Sequence, residues 1–327
     1  MSGSGASQSV GSGWTVAEIP SQAGRRVLIT GANSGIGYYA AVELARKGAH
    51  VLMACRSKAR GDAALARLYT VIPDASAEVV LLDLASQESV CAFGASELVL
   101  GEPLDLLINN AGVMAPQKRQ QTADGFEIQF GTNVLGHFAL TAVLLPALVR
   151  AAISQPQRPR VVTLASIAHK QGRLNFDDLQ SAKSYGPMVA YRQSKLADLM
   201  FAFELDRRLR ASEPPISGVM SVAAHPGVAN TNLFQVGEFS AVERLVRRGF
   251  GIAIGALLNT EEQGAVPTLF AATSPDVADG GYYGPQGLLE MRGGDAGPAK
   301  VAPQALDQAD AARLWSECER LTGISLL

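Results

Sequence analysis

Short apolar runs alternate with longer stretches in which apolar residues recur every three or four positions. The runs are "RRVLIT" (25 to 30), "HVLMAC" (50 to 55), "AEVVLLD" (77 to 83), "LDLLIN" (104 to 109), "RVVTLAS" (160 to 166) and "ISGVMSV" (216 to 222). Each is rich in Val, Leu and Ile and lacks strict alternation, which is the pattern of strands buried on both faces. A weaker seventh run surrounds "GGYYG" (280 to 284). Helical periodicity fills the gaps at about 35 to 47, 57 to 72, 86 to 100, 124 to 151 and 187 to 210. In the last of these, Leu196, Leu199, Met200 and Phe203 keep one face and Pro187 stands near the first turn. Strands alternating with helices predict an α/β fold. The expectation is a single-domain, Rossmann-type doubly wound parallel sheet of about seven strands, with helices on both faces.

The opening "MSGSGASQSVGSG" has no apolar core, so residues 1 to 20 are expected to form a flexible tail and 21 to 327 the domain. The apolar stretches 138 to 149 and 249 to 258 are too short to span a membrane. Net charge is −2 with a pI near 6.1, which gives nucleic acid and anionic lipid surfaces no purchase. Three dispersed cysteines, Cys55, Cys91 and Cys318, suit neither a disulfide scaffold nor a metal cluster. A soluble, reducing, cytoplasmic setting and no metal are therefore expected.

The first strand runs into the first helix through "VLITGANSGIG", with Gly31, Gly35 and Gly37 at the permissive positions and Asn33, Ser34 and Ile36 between them. Glycine there allows a sharp turn and close approach of backbone to a pyrophosphate, whose charge meets the N–H groups of a helix N-terminus. A ligand-free βα turn would look similar; the location in the first βα unit favours the dinucleotide. At the end of the second strand an NAD site calls for an acid that bonds the ribose 2′-hydroxyl. The chain has "ACRS" instead, with Arg56 lying 19 residues after Gly37. A guanidinium can fork onto a 2′-phosphate, so NADP(H) is expected ahead of NAD(H), with Arg60 one turn further on. The other reading of Arg56 is a surface arginine.

"AYRQSKLADL" (190 to 199) puts Tyr191 and Lys195 one helical turn apart on one face. A phenol ordinarily titrates near 10, and a neighbouring ammonium favours its ionised form, which would make a proton donor useful near neutrality. A packed tyrosine beside a solvated lysine has the same spacing.

Further motifs fall at successive strand ends: "LLDLAS" (81 to 86), "INNAGV" (108 to 113), "TLASIAH" (163 to 169) and "AAHPGVANT" (223 to 231). With the glycine loop and YRQSK, this ordered set resembles the short-chain dehydrogenase/reductase superfamily over about 25 to 290. "ACRS", "GFEIQFGTNVLGHFALT" (125 to 141), "AYRQSKLADLMF" and "GGYYGP" (280 to 285) resemble its retinol-dehydrogenase-like branch.

The resemblance implies Tyr191 as the catalytic acid/base and Lys195 as the residue that tunes it and bonds the nicotinamide ribose. It also implies Ser166 as the serine that bonds the substrate oxygen and Asn133 as the holder of a relay water. Asp83 and Leu84 match the adenine contacts, and Asn110, Ala111 and Gly112 the loop beside the cofactor. Pro226, Gly227 and Thr231 match the stretch over the nicotinamide. Taken alone, Ser166 could cap a strand end and Asn133 could satisfy helix backbone. His169 and His225 flank the site and are assigned structural roles.

The expected reaction is NADP(H)-dependent interconversion of an alcohol and a carbonyl compound. A carbon–carbon double-bond reductase and a non-catalytic NADP(H) sensor are the alternatives. Segment 232 to 258, with Leu233, Phe234, Phe239, Phe250, Ile252 and Ile254, and loop 170 to 188 are expected to rim a lipophilic substrate pocket, although a helix packing on its own core would show the same apolar residues. Relatives pair the 124 to 151 and 187 to 210 helices across a two-fold axis, which would give a homodimer or homotetramer; the inserted rims could block that pairing and leave a monomer.

Overall fold

The computed structural model describes residues 13–228 and 259–327. One eight-stranded sheet carries the chain: β1 (Arg26–Thr30), β2 (His50–Cys55), β3 (Ser76–Leu81), β4 (Leu106–Asn109), β5 (Arg160–Leu164), β6 (Met220–Ala224), β7 (Tyr282–Pro285) and β8 (Ala296–Pro298). Their spatial order is β3-β2-β1-β4-β5-β6-β7-β8. All neighbours are parallel except β7 and β8, so the expected parallel sheet is present with one antiparallel edge strand added. The short β8 had no signal in the apolar pattern.

The order reverses between β1 and β4. Loops leaving these two strands diverge to opposite faces, which opens a crevice at their carboxyl ends. Helices α1 (Gly35–Arg46) and α2 (Lys58–Val71) follow β1 and β2. Helices α3 (Gln87–Gly94) and α4 (Glu97–Leu100) then divide the expected 86-to-100 helix at Ala95 and Ser96. Next come α5 (Gly136–Ser154), α6 (Pro187–Ala211), α7 (Glu261–Thr273) and α8 (Gln308–Thr322). Two apolar cores form, one on each face of the sheet. Leu44, Leu68 and Leu269 bury with α1, α2 and α7 on one side; Phe93, Phe138, Leu199 and Trp315 bury with α3, α5, α6 and α8 on the other.

The expected 124-to-151 helix begins later. A π-helical segment, Phe130–Leu135, precedes α5, and all six of its residues are buried. By length and composition Phe130–Ser154 could cross a membrane, yet 67% of its most apolar window is buried inside the fold, as in a core helix. Helix α8 lays Ala311, Leu314, Trp315 and Cys318 over α5 and α6, with the Trp315 ring 5.2 Å from Phe138 and 6.0 Å from Phe201. Packing begins before residue 21. Trp14 is buried edge-on against Phe270 at 5.3 Å and bridges to Ala296, so residues 14 to 20 belong to the folded unit and not to a tail. Segment 232 to 258 and Thr231 lie outside the described residues.

Candidate active site

The turn after β1 is built by glycine. Gly31 and Gly35 take φ of +68° and +60°, which other residues rarely adopt. At Gly37 a Cβ would collide with the Asn110 side chain and stand 2.8 Å from the Gly31 carbonyl oxygen. Ser34 precedes α1 in extended conformation and makes no side-chain cap, so the leading N–H groups of the helix are left for another acceptor.

Across the switch point, Asn110 ties β4 to β1. Its Nδ2 donates to the Thr30 carbonyl at 2.7 Å, while the N–H groups of Asn110 and Ala111 donate to Thr30 Oγ1, both at 2.9 Å. Thr30 Oγ1 also meets His137 Nε2 at 2.9 Å, and His137 Nδ1 lies 2.8 Å from the Asn133 carbonyl. That carbonyl only accepts, so Nδ1 carries the proton and Nε2 accepts from the threonine hydroxyl. Complete burial pushes His137 down to about 3, and the imidazole stays neutral.

A cleft of about 300 Å³ opens here. It is lined by Gly31, Asn33, Ser34, Gly35 and Ile36 of the glycine loop, by Asn110 and Ala111, which pack against that loop, and by Gly112, Arg56, Asp83, Leu84, Tyr191, Lys195 and Pro226. Most of the sequence-derived set therefore shares one cavity, and Arg60 joins Arg56 on its rim. The remaining residues stand behind it or beside it. Gly37 packs beneath the loop. Asn133 is wholly buried; its Oδ1 accepts from the Val113 N–H at 2.7 Å, and its Nδ2 donates to the Val113 carbonyl and to Ser194 Oγ, both at 3.0 Å. Ser166 ends the stretch after β5, where its Oγ accepts from the Ala168 N–H at 3.2 Å and keeps its own proton to donate. Gly227, at φ +70°, follows Pro226, whose carbonyl accepts from Asn259 Nδ2 at 2.9 Å.

Tyr191 and Lys195 face the cleft from the second and third turns of α6. Lys195 Nζ donates to the Leu164 carbonyl at 2.8 Å and to Asp198 Oδ2 at 2.8 Å. Burial works against this ammonium, but Asp198 and Tyr191 together outweigh it and hold the lysine above its ordinary value. Asp198 was not among the sequence-derived residues. Its signal was an acid three places after a lysine in an otherwise apolar helical stretch. Asn259 was missed as well, because its role depends on a turn joined from distant chain.

The two flanking histidines both bond backbone groups. His169 Nδ1 bonds the Ser166 carbonyl at 2.7 Å, and His225 Nδ1 accepts from the Gly227 N–H at 3.2 Å. No cluster of metal-ligating side chains exists among the described residues. A larger groove of about 620 Å³ runs between α1, α2 and α7, away from the strand ends. Arg67 lies over the Tyr38 ring in its wall, at 4.0 Å from the ring centre.

The fit to a dinucleotide rests on three features: the uncapped start of α1, the absence of room for any side chain at Gly37, and Thr132 Oγ1. That hydroxyl is buried in the cleft wall without a partner. Comparison with known proteins agrees. Residues 25–238 match the family model described as short chain dehydrogenase. Mouse retinol dehydrogenase 14 is 40% identical over 313 residues, covering 92% of this chain and 86% of that protein. Mouse polyprenol dehydrogenase is 39% identical over 306 residues, covering 93% and 86%. An uncharacterised protein from Mycobacterium paratuberculosis, known from its crystal structure, is 40% identical with a TM-score of 0.77; the match covers 97% of this chain and 100% of that one.

Proposed function

Because the chain belongs to the short-chain dehydrogenase/reductase family, in its retinol-dehydrogenase-like branch, we propose that it interconverts a lipophilic alcohol and its carbonyl compound with NADP(H). The observation that carries this reading is the pairing of Tyr191 with Lys195 on one face of α6, in the wall of the same cleft that the glycine loop lines. The N–H groups of α1 would hold the pyrophosphate, Arg56 and Arg60 the 2′-phosphate, and Asp83 and Leu84 the adenine. When bound, the nicotinamide supplies or takes up the hydride.

The protein's part is proton handling and orientation. In carbonyl reduction Tyr191 donates its proton to the substrate oxygen as negative charge grows there, and the Ser166 hydroxyl donates a second hydrogen bond to the same atom. The Lys195 ammonium stabilises the phenolate that remains, and solvent returns the proton. In alcohol oxidation the phenolate takes the hydroxyl proton instead. Asn133 acts at one remove: it fixes the Val113 backbone to the α6 helix, so the loop beside the cofactor and the catalytic helix keep one geometry.

Two relatives named for retinol and polyprenol support a long apolar substrate. The test is to incubate the protein with retinaldehyde or farnesal and with NADPH deuterated at the transferable C4 position. The reading expects a primary alcohol with deuterium on the carbinol carbon. Deuterium on a saturated carbon of the former alkene would instead identify a double-bond reductase.

A further inference from the structure

An ammonium carries three donors, and Lys195 spends two of them on the protein, one on the Leu164 carbonyl and one on Asp198. Asp198 is 2% exposed and stands behind Lys195, outside the wall of the cleft. It reaches the reaction only through the lysine. Burying an ammonium this deeply favours the neutral amine, unless a counter-charge is buried with it.

The groups that face this pair are few. Tyr191 comes from the same helix, His137 from α5 and Cys318 from α8. His137 is a neutral imidazole bonded to Asn133 and Thr30. Burial pushes the Cys318 thiol far up, so it keeps its proton. Neither offers Lys195 a negative charge. Asp198 is thus the anionic partner of Lys195 among the described residues, at 2.8 Å and with both side chains buried.

We propose that Asp198 is a positioning residue of this active site, which keeps Lys195 charged and aims its third N–H at the cleft. This rests on the reading of Tyr191 and Lys195 as the proton-handling pair. The carboxyl itself is pushed up to about 6 by burial, against the pull of Lys195, so the ion pair is formed at neutral pH. A neutral amine in its place would leave a phenolate formed on Tyr191 without a counter-charge.

The test uses side-chain NMR of lysine labelled with ¹³C and ¹⁵N, followed across pH in the full chain. Asp198→Asn keeps an acceptor of the same size and removes the charge; Asp198→Glu keeps the charge. In the unaltered protein the Lys195 resonance is expected to titrate above free lysine. In Asp198→Asn it should fall by about one pH unit or more, and in Asp198→Glu it should stay near the unaltered value. The alkaline limb of the pH profile for reduction of farnesal should move to lower pH by the same amount in the Asn variant and return to its original place in the Glu variant. A Lys195 titration that does not move in Asp198→Asn would overturn the proposal, as would a loss of stability in both variants with unchanged titration. If the lysine shifts as expected but no carbonyl compound is turned over by the unaltered protein, the fault lies with the functional reading and not with the ion pair. Should the Asn variant not fold, Asp198→Ser provides the same uncharged comparison.

Discussion

Asn133 and Val113 exchange two hydrogen bonds, a side-chain amide reading a backbone peptide as though it were a neighbouring strand. The same amide donates to Ser194, whose hydroxyl in turn donates to the Tyr191 carbonyl at 2.9 Å. Three residues therefore connect the loop after β4 to the turn of α6 that carries Tyr191. Replacing Asn133 by Ala would leave the half-buried Val113 N–H and carbonyl without their side-chain partner. The expected cost is about 3 kcal/mol of stability, with weaker NADPH binding, read by thermal unfolding and by nicotinamide fluorescence titration.

Arg56 governs the choice of cofactor in this account, with Arg60 in support. Arg56→Asp removes the partner of the 2′-phosphate and supplies the acid that a ribose hydroxyl prefers. NADPH affinity should fall about thirtyfold, equivalent to about 2 kcal/mol, while NADH affinity rises. Competitive titration of the two reduced cofactors reads both changes.

Glycine substitutions separate close approach from backbone strain. In Gly37→Ala the new methyl group meets Asn110 and the Gly31 carbonyl, so the loop must open. A loss of about 2 to 3 kcal/mol and of cofactor binding is expected. Gly125, at φ +86° with nothing near its absent Cβ, serves as the comparison. Gly125→Ala should cost about 1 kcal/mol of backbone strain and leave cofactor binding intact.

Acid should destabilise the fold through its buried imidazoles. Burial holds His137 and His225 down to about 3 and also lowers His169, whereas in the unfolded chain each titrates near its ordinary value of about 6.5. The unfolded state then binds more protons, so stability is full above that value and declines as pH falls from there towards 3. Asp198 opposes this between its ordinary value of about 4 and its folded value near 6, because a raised carboxyl makes the folded state the better proton binder there. Asp105, Glu127, Asp206 and Glu261, raised by burial, oppose the decline in the same way, while Asp178, Glu204 and Glu290, held low by their hydrogen-bond partners, add to it at lower pH. The imidazoles act first, so the unfolding midpoint should begin to drop as pH falls through about 6.5. His225→Gln, which cannot take up a proton, should flatten that slope in thermal scans taken across pH.

The sheet was legible because strands buried on both faces write themselves as unbroken Val, Leu and Ile runs; β1 and β2 lie within a residue of where those runs stand. Edges were harder. Strand β8 has three residues, Ala296–Pro298, and owes its existence to pairing with β7 instead of to local composition. Helix α8 was legible and passed over: Asp307 caps its start, Ala311, Leu314, Trp315 and Cys318 form one stripe, and Gly323 ends it at φ +69°. The π-helical turn around Asn133 has no signature in the apolar period, since every one of its residues is buried.

At the site, the motif residues were visible because each stands at a strand end or one helical turn from its partner. Their supports were not. His137 links Thr30 to Asn133 across more than a hundred residues of chain, and Asn259 reaches the Pro226 carbonyl from the far side of the 232-to-258 segment. Such contacts follow from tertiary packing and leave no local spacing to read. Ser166 shows the opposite case, where the capping role open to any serine at a strand end is the one present: its oxygen accepts from the Ala168 N–H in the turn that follows β5.

The most direct measurement is turnover of retinaldehyde or farnesal by Tyr191→Phe beside NADPH binding by the same variant. Removing one hydroxyl should cut turnover at least about a hundredfold, while the dissociation constant for NADPH stays within about twofold of the unaltered protein. Turnover that persists within about tenfold, with the cofactor still bound, would contradict the assignment of Tyr191 as the proton donor and with it the mechanism built on α6.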